Sequence, residues 1–202
     1  MKKFRNLMLV IILSCIAISM ALGQSLTLKP FGLESGIIDY KFSGAQEGVG
    51  TLYFDNFGLR SNMYLDVIEG GKHQKGYTLT LGEDQYMYDL EKSKEGIKMR
   101  NPVYKDLDEN ATIETILEKV YGKMGLKKTG KATFLGKECD LWKSEQGEAL
   151  IWQGLLLKLD LDMYGNSIHQ EATAMKMNVP FDTSLFEIPE GIEFTEMPAF
   201  SF

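Results

Sequence analysis

Few side chains in this 202-residue sequence could do chemistry. His73 stands in 70-GGKHQKG-76, a run of turn formers and charges that reads as a solvated loop. His169 alternates with Glu171 and shares a strand face with it, which would supply two metal ligands; Zn2+ needs three or four, and the spacing suggests no third. Asp160 and Asp162 lie on one strand face about 7 Å apart by strand rise, a separation a glycosidase could use. The leucines alternating with them argue instead for solvated carboxylates on an outer face. Cys139, in 138-ECDLW-142, sits in a short strand that offers neither a cation nor a helix terminus to activate a thiol, so it reads as a buried small hydrophobe. There is no G-x-S-x-G elbow, P-loop, H-E-x-x-H or dinucleotide-binding glycine fingerprint. The reading is non-enzymatic, with no cofactor and no metal.

What stands out is apolar. In 147-GEALIWQGLLLKLDLDMYGN-166, alternation places Leu155, Leu157, Leu159, Leu161 and Met163 on one side of a strand and Leu156, Lys158, Asp160, Asp162 and Tyr164 on the other. Upstream, 108-DENATIETILEKVYGKMG-125 carries Ile113, Ile116, Leu117, Val120, Tyr121 and Met124 at spacings of three and four, an amphipathic helix with Asp108 or Asn110 as N-cap and Gly125 closing it. Leu157, Leu159, Leu161, Met163, Ile116 and Val120 are the candidate ligand-facing residues. Two readings stay open: an apolar cavity that holds a lipid or acyl chain, or a filled core in an envelope structural or protein-interaction domain.

The rest of the chain must position that face. Turn residues punctuate it at short intervals, and between them strands are predicted at 35–43, 49–55, 59–68, 75–81, 85–90, 96–100, 129–135, 138–144, 148–153, 155–163 and 167–178. The inward set is large: Ile38/Tyr40/Phe42, Leu52/Phe54, Met63/Leu65/Val67, Tyr77/Leu79/Leu81, Leu155 to Met163, and Met175/Met177. One helix cannot cover that much surface, so the sheet must curl. The expected fold is mainly β: a curled antiparallel sheet forming a half-open β-barrel, the helix packed on its concave side. The tail 181–197 reads as irregular, with Pro189 and Pro198 opposing ladder pairing.

The opening MKKFRN, the apolar run LMLVIILSCIAISMAL and the small residues of Ala21-Leu22-Gly23 read as a signal peptide over residues 1–23, leaving one domain over 24–202 that is secreted across the inner membrane into the periplasm. A retained anchor is the alternative, since the run nearly spans a bilayer. Ile12-Leu13-Ser14-Cys15 faintly resembles a lipobox, although the apolar run continues past Cys15. Removing Lys2, Lys3 and Arg5 from 22 basic residues leaves 19 against 28 acidic ones, a formal charge of −9. That field excludes nucleic acid and anionic headgroups as partners, and no stable membrane insertion is expected once the signal is removed.

The stretch 136-GKECDLWKSEQGEALIWQGLLLKL-159, followed by 180-PFDTSLFEIPEGIEF-194, resembles the LolA-like outer-membrane lipoprotein-sorting superfamily, as do 35-SGIIDYKFSG-44 and 50-GTLYFDNFGLR-60. The resemblance implies a half-open barrel whose concave side shields acyl chains. A lipid or lipoprotein acyl chain and an envelope protein are the partners it suggests.

Overall fold

The computed structural model describes residues 28–89, 94–101, 111–163 and 165–197, with Met163 in its backbone only. The signal-peptide and lipobox readings, and Asp108 and Asn110 as caps, lie outside these residues. Among those described, strands follow one another as β1 (Gly36–Gly44), β2 (Gln46–Asp55), β3 (Arg60–Glu69), β4 (Lys72–Leu81), β5 (Asp84–Tyr88) and β6 (Glu95–Arg100). Helix α1 (Ile113–Gly122) precedes β7 (Lys127–Phe134), β8 (Lys137–Ser144), β9 (Gly147–Trp152), β10 (Leu155–Met163), β11 (Asn166–Met177) and β12 (Glu193–Met197). All twelve form one sheet, in the order β12-β6-β5-β4-β3-β2-β1-β11-β10-β9-β8-β7. The hairpin links explain the runs of consecutive neighbours, and β11 returning beside β1 joins the two halves.

The sheet is curled and open, as expected. Leu65 and Val67 of β3 share one buried cluster with Ile38 and Tyr40 of β1, Leu150 of β9 and Cys139 of β8. Strands β3 and β8 stand six places apart, roughly 29 Å in a flat sheet at ordinary strand spacing. One continuous buried cluster therefore runs across the curled sheet. Closure does not follow, because β12 and β7 remain edges.

Both faces of the front half are buried, and this corrects the inward set. Met63 pairs with Thr78, so Thr78 and Thr80 share the face of Met63 and Phe54. Leu79, opposite Asn62, therefore points the other way. There Leu79, Tyr86 and Tyr88 bury Phe186 and pack with Phe181, Leu185, Ile192 and Phe194 of the tail. Alternation gives the period of a strand but not which phase is the inner one, and the mixture TLTL is apolar enough in either phase.

The tail is more regular than expected. Asp182 Oδ1 accepts from the Ser184 N–H at 3.0 Å and caps a short 3-10 turn, Thr183–Phe186. Beyond it β12 pairs in parallel with β6, from Glu193 opposite Glu95 to Met197 opposite Met99. Pro189 precedes that strand, and β12 is an edge, the position where ladder breaks are tolerated. His73 is likewise not in a loop: Gly70 and Gly71, both at positive φ (+55° and +75°), make the turn, and His73 lies on β4, hydrogen-bonded to Asp66 of β3.

Candidate ligand-binding face

Strand β10 buries Leu155, Leu156, Leu157, Leu159 and Leu161, each at most 6% exposed. Simple alternation cannot do that. The device is a β-bulge: Leu156 pairs with Ile151 and Lys158 with Leu150, so Leu157 is an extra residue against β9. The phase shifts across it. Leu155 and Leu157 join the cluster of Tyr40, Phe42 and Leu65, while Leu156, Leu159 and Leu161 join the cluster beneath α1. Tyr40 Oη donates to the Leu156 carbonyl at 2.7 Å beside the bulge. The expectation that Leu156 points outward with Lys158 is therefore overturned, and Leu157 does not lie under the helix.

Helix α1 starts where Thr112 Oγ1 accepts from the Thr115 N–H at 3.2 Å, with Glu114 in the first turn to complement the helix dipole. It ends as Leu126 N–H returns to the Tyr121 carbonyl at 3.0 Å around Gly125, whose φ of +77° suits glycine. Its face toward the sheet carries Leu117 and Tyr121, flanked by Ile113, Val120 and Met124, against Leu156, Leu159, Leu161, Trp142, Ile151 and Ile168. Burial pushes the Tyr121 phenol well above its usual pKa, so it is neutral throughout the physiological range. Ile116 is turned away from Leu159, packing with Leu28, Leu59 and Ala111, and Val120 touches both groups. Of the candidate residues, the structure thus joins Leu159 and Leu161 of β10 with Val120 of the helix that covers them. It places Leu157 and Ile116 in two neighbouring clusters, and Met163 lies outside the described side chains.

The sequence reading missed the polar part of this face. Register pairing sets Phe42, Gln170, Leu159, Ala149 and Trp142 in one row across five strands, side chains on one surface. Within it the Gln170 amide, 1% exposed, has no hydrogen-bond partner for either its oxygen or its nitrogen, and the Trp142 indole N–H has none among the described residues. Gln46, 3% exposed, lies on the same surface two residues before Gly48, which pairs with Phe42; its amide is equally unpartnered. Leaving a buried polar group unsatisfied costs about 1–3 kcal/mol. The signal was present in 167-SIHQEATA-174, where a glutamine takes the phase of Ile168 and Ala172.

The chemically suggestive residues lie on the opposite surface and are tied to one another. Asp160 accepts from His169 Nδ1 at 2.9 Å and pairs with Lys158. Burial works to raise the Asp160 pKa, but these two hydrogen bonds prevail and hold it below the usual carboxylate value. Asp162 accepts from the Ser167 hydroxyl. His169 is thus bonded to Asp160, and among the described residues no three His, Cys, Asp or Glu side chains converge on one point. Cys139 is fully buried, and burial raises its thiol pKa.

No protein-family description matches this sequence, and no curated protein does. Three solved structures give alignments over most of this chain, one of them close enough to share its fold. An uncharacterized conserved protein from Thermus thermophilus superposes with a TM-score of 0.51 at 11% identity, over 81% of this chain and 91% of that one. Pseudomonas aeruginosa MucB, solved in complex with MucA, gives 0.42 at 9% identity over 79% of this chain and 57% of that one. LprF from Mycobacterium bovis gives 0.33 at 10% identity over 80% and 91%. At such identities the first likeness is one of fold. Among the described residues, no helix is long and apolar enough to cross a membrane.

Proposed function

We propose that this is a non-enzymatic binding protein of the bacterial envelope, exported to the periplasm and built on a LolA-like half-barrel, that takes the acyl chain of a lipid or lipoprotein against the β10 face when α1 lifts. The observation that carries the reading is the cover: one ten-residue helix closes Leu156, Leu159, Leu161, Ile151 and Trp142. Side-chain packing and the Glu114–Lys128 ion pair of 3.3 Å at the surface are among the contacts that hold it there. A helix this short has little stability of its own and depends on the apolar face it covers, so a guest that offers equivalent apolar surface can replace it.

One observation favours a second reading, a filled interaction domain: Leu159 and Leu161 mesh with α1 and are essentially inaccessible. Uptake of the neutral dye N-phenyl-1-naphthylamine by the purified protein decides between them. The carrier reading expects uptake in the parent, and more in Thr112→Ala, which removes the helix cap at a cost of about 1 kcal/mol. Leu159→Trp should then abolish it. A parent that takes up no dye, with Leu159→Trp overpacking the core by about 1–3 kcal/mol, leaves the filled domain standing.

A further inference from the structure

The two unpartnered glutamines specify what kind of ligand that face would take, an inference that rests on the binding reading above. Gln46 and Gln170 are buried on the same surface as Leu159, and neither side-chain oxygen nor nitrogen of either has a partner among the described residues. A packed core has no use for two such amides. A primary amide both donates and accepts, and so does the pair together, which suits a guest whose polar group is an uncharged carbonyl.

The surrounding charge points the same way. Gln46 lies opposite Glu69, whose carboxylate accepts from Gln74 Nε2 at 3.1 Å, and the next residue in that row is the exposed Lys72. At the far end of the Gln170 row stands Lys128, beyond Trp142, and it is paired with Glu114 and Asp140. Among the described residues no cation lies next to either amide along these rows, and the nearest charge to Gln46 in its row is negative. Desolvating a carboxylate or phosphate here would find no compensating charge.

We propose that Gln46 and Gln170 are the polar anchor of the ligand site and select an acyl ester or amide over a free fatty acid or a phosphate-bearing head. The Trp142 indole N–H, further along the row from Gln170, supplies another donor to a carbonyl.

The test is displacement of N-phenyl-1-naphthylamine at pH 8 by monolaurin, an uncharged ester, and by laurate, its ionised acid, which share one acyl chain. The parent should release dye at a monolaurin concentration at least tenfold below that of laurate. In Gln46→Leu/Gln170→Leu the dye should still bind, the ratio should shrink below about threefold, and the melting temperature should rise because two orphan amides are gone. Gln170→Met alone, which nearly keeps the side-chain volume, should show half the effect and serves if the double variant does not fold. Equal displacement by laurate and monolaurin in the parent overturns the anchor while leaving acyl binding intact. So does an unchanged ratio in the variants, which would make the glutamines hosts of buried water only. A parent that binds no dye removes the binding reading and the anchor together.

Discussion

At the scale of single residues, Arg60 shows how a turn is secured and what depends on it. In 55-DNFG-58 the chain reverses through Asn56 and Phe57 at φ of +48° and +60°, conformations that side chains of this kind rarely adopt, so something must hold them. Arg60 Nε donates to Asp55 Oδ1 at 2.8 Å while Nη2 pairs with Oδ2, a two-pronged grip that only guanidinium geometry makes. The same guanidinium lies 5.4 Å from the Phe186 ring centroid, tying the turn to the tail. Arg60→Ala should lower the melting temperature by roughly 2–4 °C, the shift expected for about 1 kcal/mol in a domain of this size. Arg60→Lys should recover little of it, and acyl binding should be unaffected. Lost binding at an unchanged melting temperature would make Arg60 a ligand contact instead. Spacing in 55-DNFGLR-60 leaves Asp55 and carbonyls of the sheet rim as alternative partners for Arg60, and the structure selects Asp55. The contact with Phe186 was not legible in the sequence, since it joins residues far apart in the chain.

Acid should find the carboxylates that the fold has paired. The hydrogen bond from His73 lowers the pKa of Asp66, and hydrogen bonds from Lys131 and Lys128 lower that of Asp140 against the opposing effect of burial; Asp160 is held down by Lys158 and His169. Their folded pKa values lie below the unfolded value of about 3.9. Their contribution to stability is therefore complete above that value and is lost as pH falls through the folded pKa values. Thermal melts should change little from pH 8 to about 5 on account of these groups and fall steeply below about 4, with a shallower fall in Asp160→Asn. A midpoint that drops instead between pH 7 and 5 would show that these three carboxylates do not dominate the acid response.

At the scale of elements, strand β10 separates what a sequence can and cannot declare. Its existence, its ends at Leu155 and Met163, and the amphipathic helix that packs near it follow from period and turn residues. The bulge does not, because an extra residue against one neighbour leaves no mark in a run of leucines that is apolar in either phase. Parity taken along the strand puts Leu156 beside Lys158 in solvent, whereas the register puts it opposite Ile151 under α1. The two readings differ measurably. Leu156→Ala should cost about 2–5 kcal/mol as a buried large-to-small change, against nearly nothing for a solvent-facing leucine. A melting temperature within about 1–2 °C of the parent would restore the unbroken alternation. Strand β12 was hidden for another reason: its partner β6 lies about a hundred residues earlier, and parallel pairing across such a gap has no local signature.

At the scale of the whole molecule, the chain solves a problem of area in two ways. One buried cluster runs from β1–β3 through β10 to β8 and β9, so the curled sheet carries a continuous core along its length. The tail covers the opposite face of the front half. Tyr77 stacks on Tyr88 at 5.3 Å, the ring of Phe194 stands edge-on to Tyr86 and Tyr88, and Phe181 packs edge-on to Phe186. Asn62, buried on β3, donates to the Leu185 carbonyl at 2.8 Å and so fixes the 3-10 turn to the sheet. This tail is therefore a wall of the domain. Ending the chain at Asn178 would uncover Leu79, Tyr86 and Tyr88 together, a contiguous aromatic patch of the kind that drives self-association, and would remove β12 and expose the edge of β6. The shortened protein should bind 8-anilinonaphthalene-1-sulfonate strongly and associate in sedimentation runs. Phe186→Ala, milder, should remain monomeric and unfold in one transition at a cost of about 3–5 kcal/mol. A truncated chain that stays monomeric and melts with the parent would show the tail to be an appendage, and the front half would then have to be stable with one face bare.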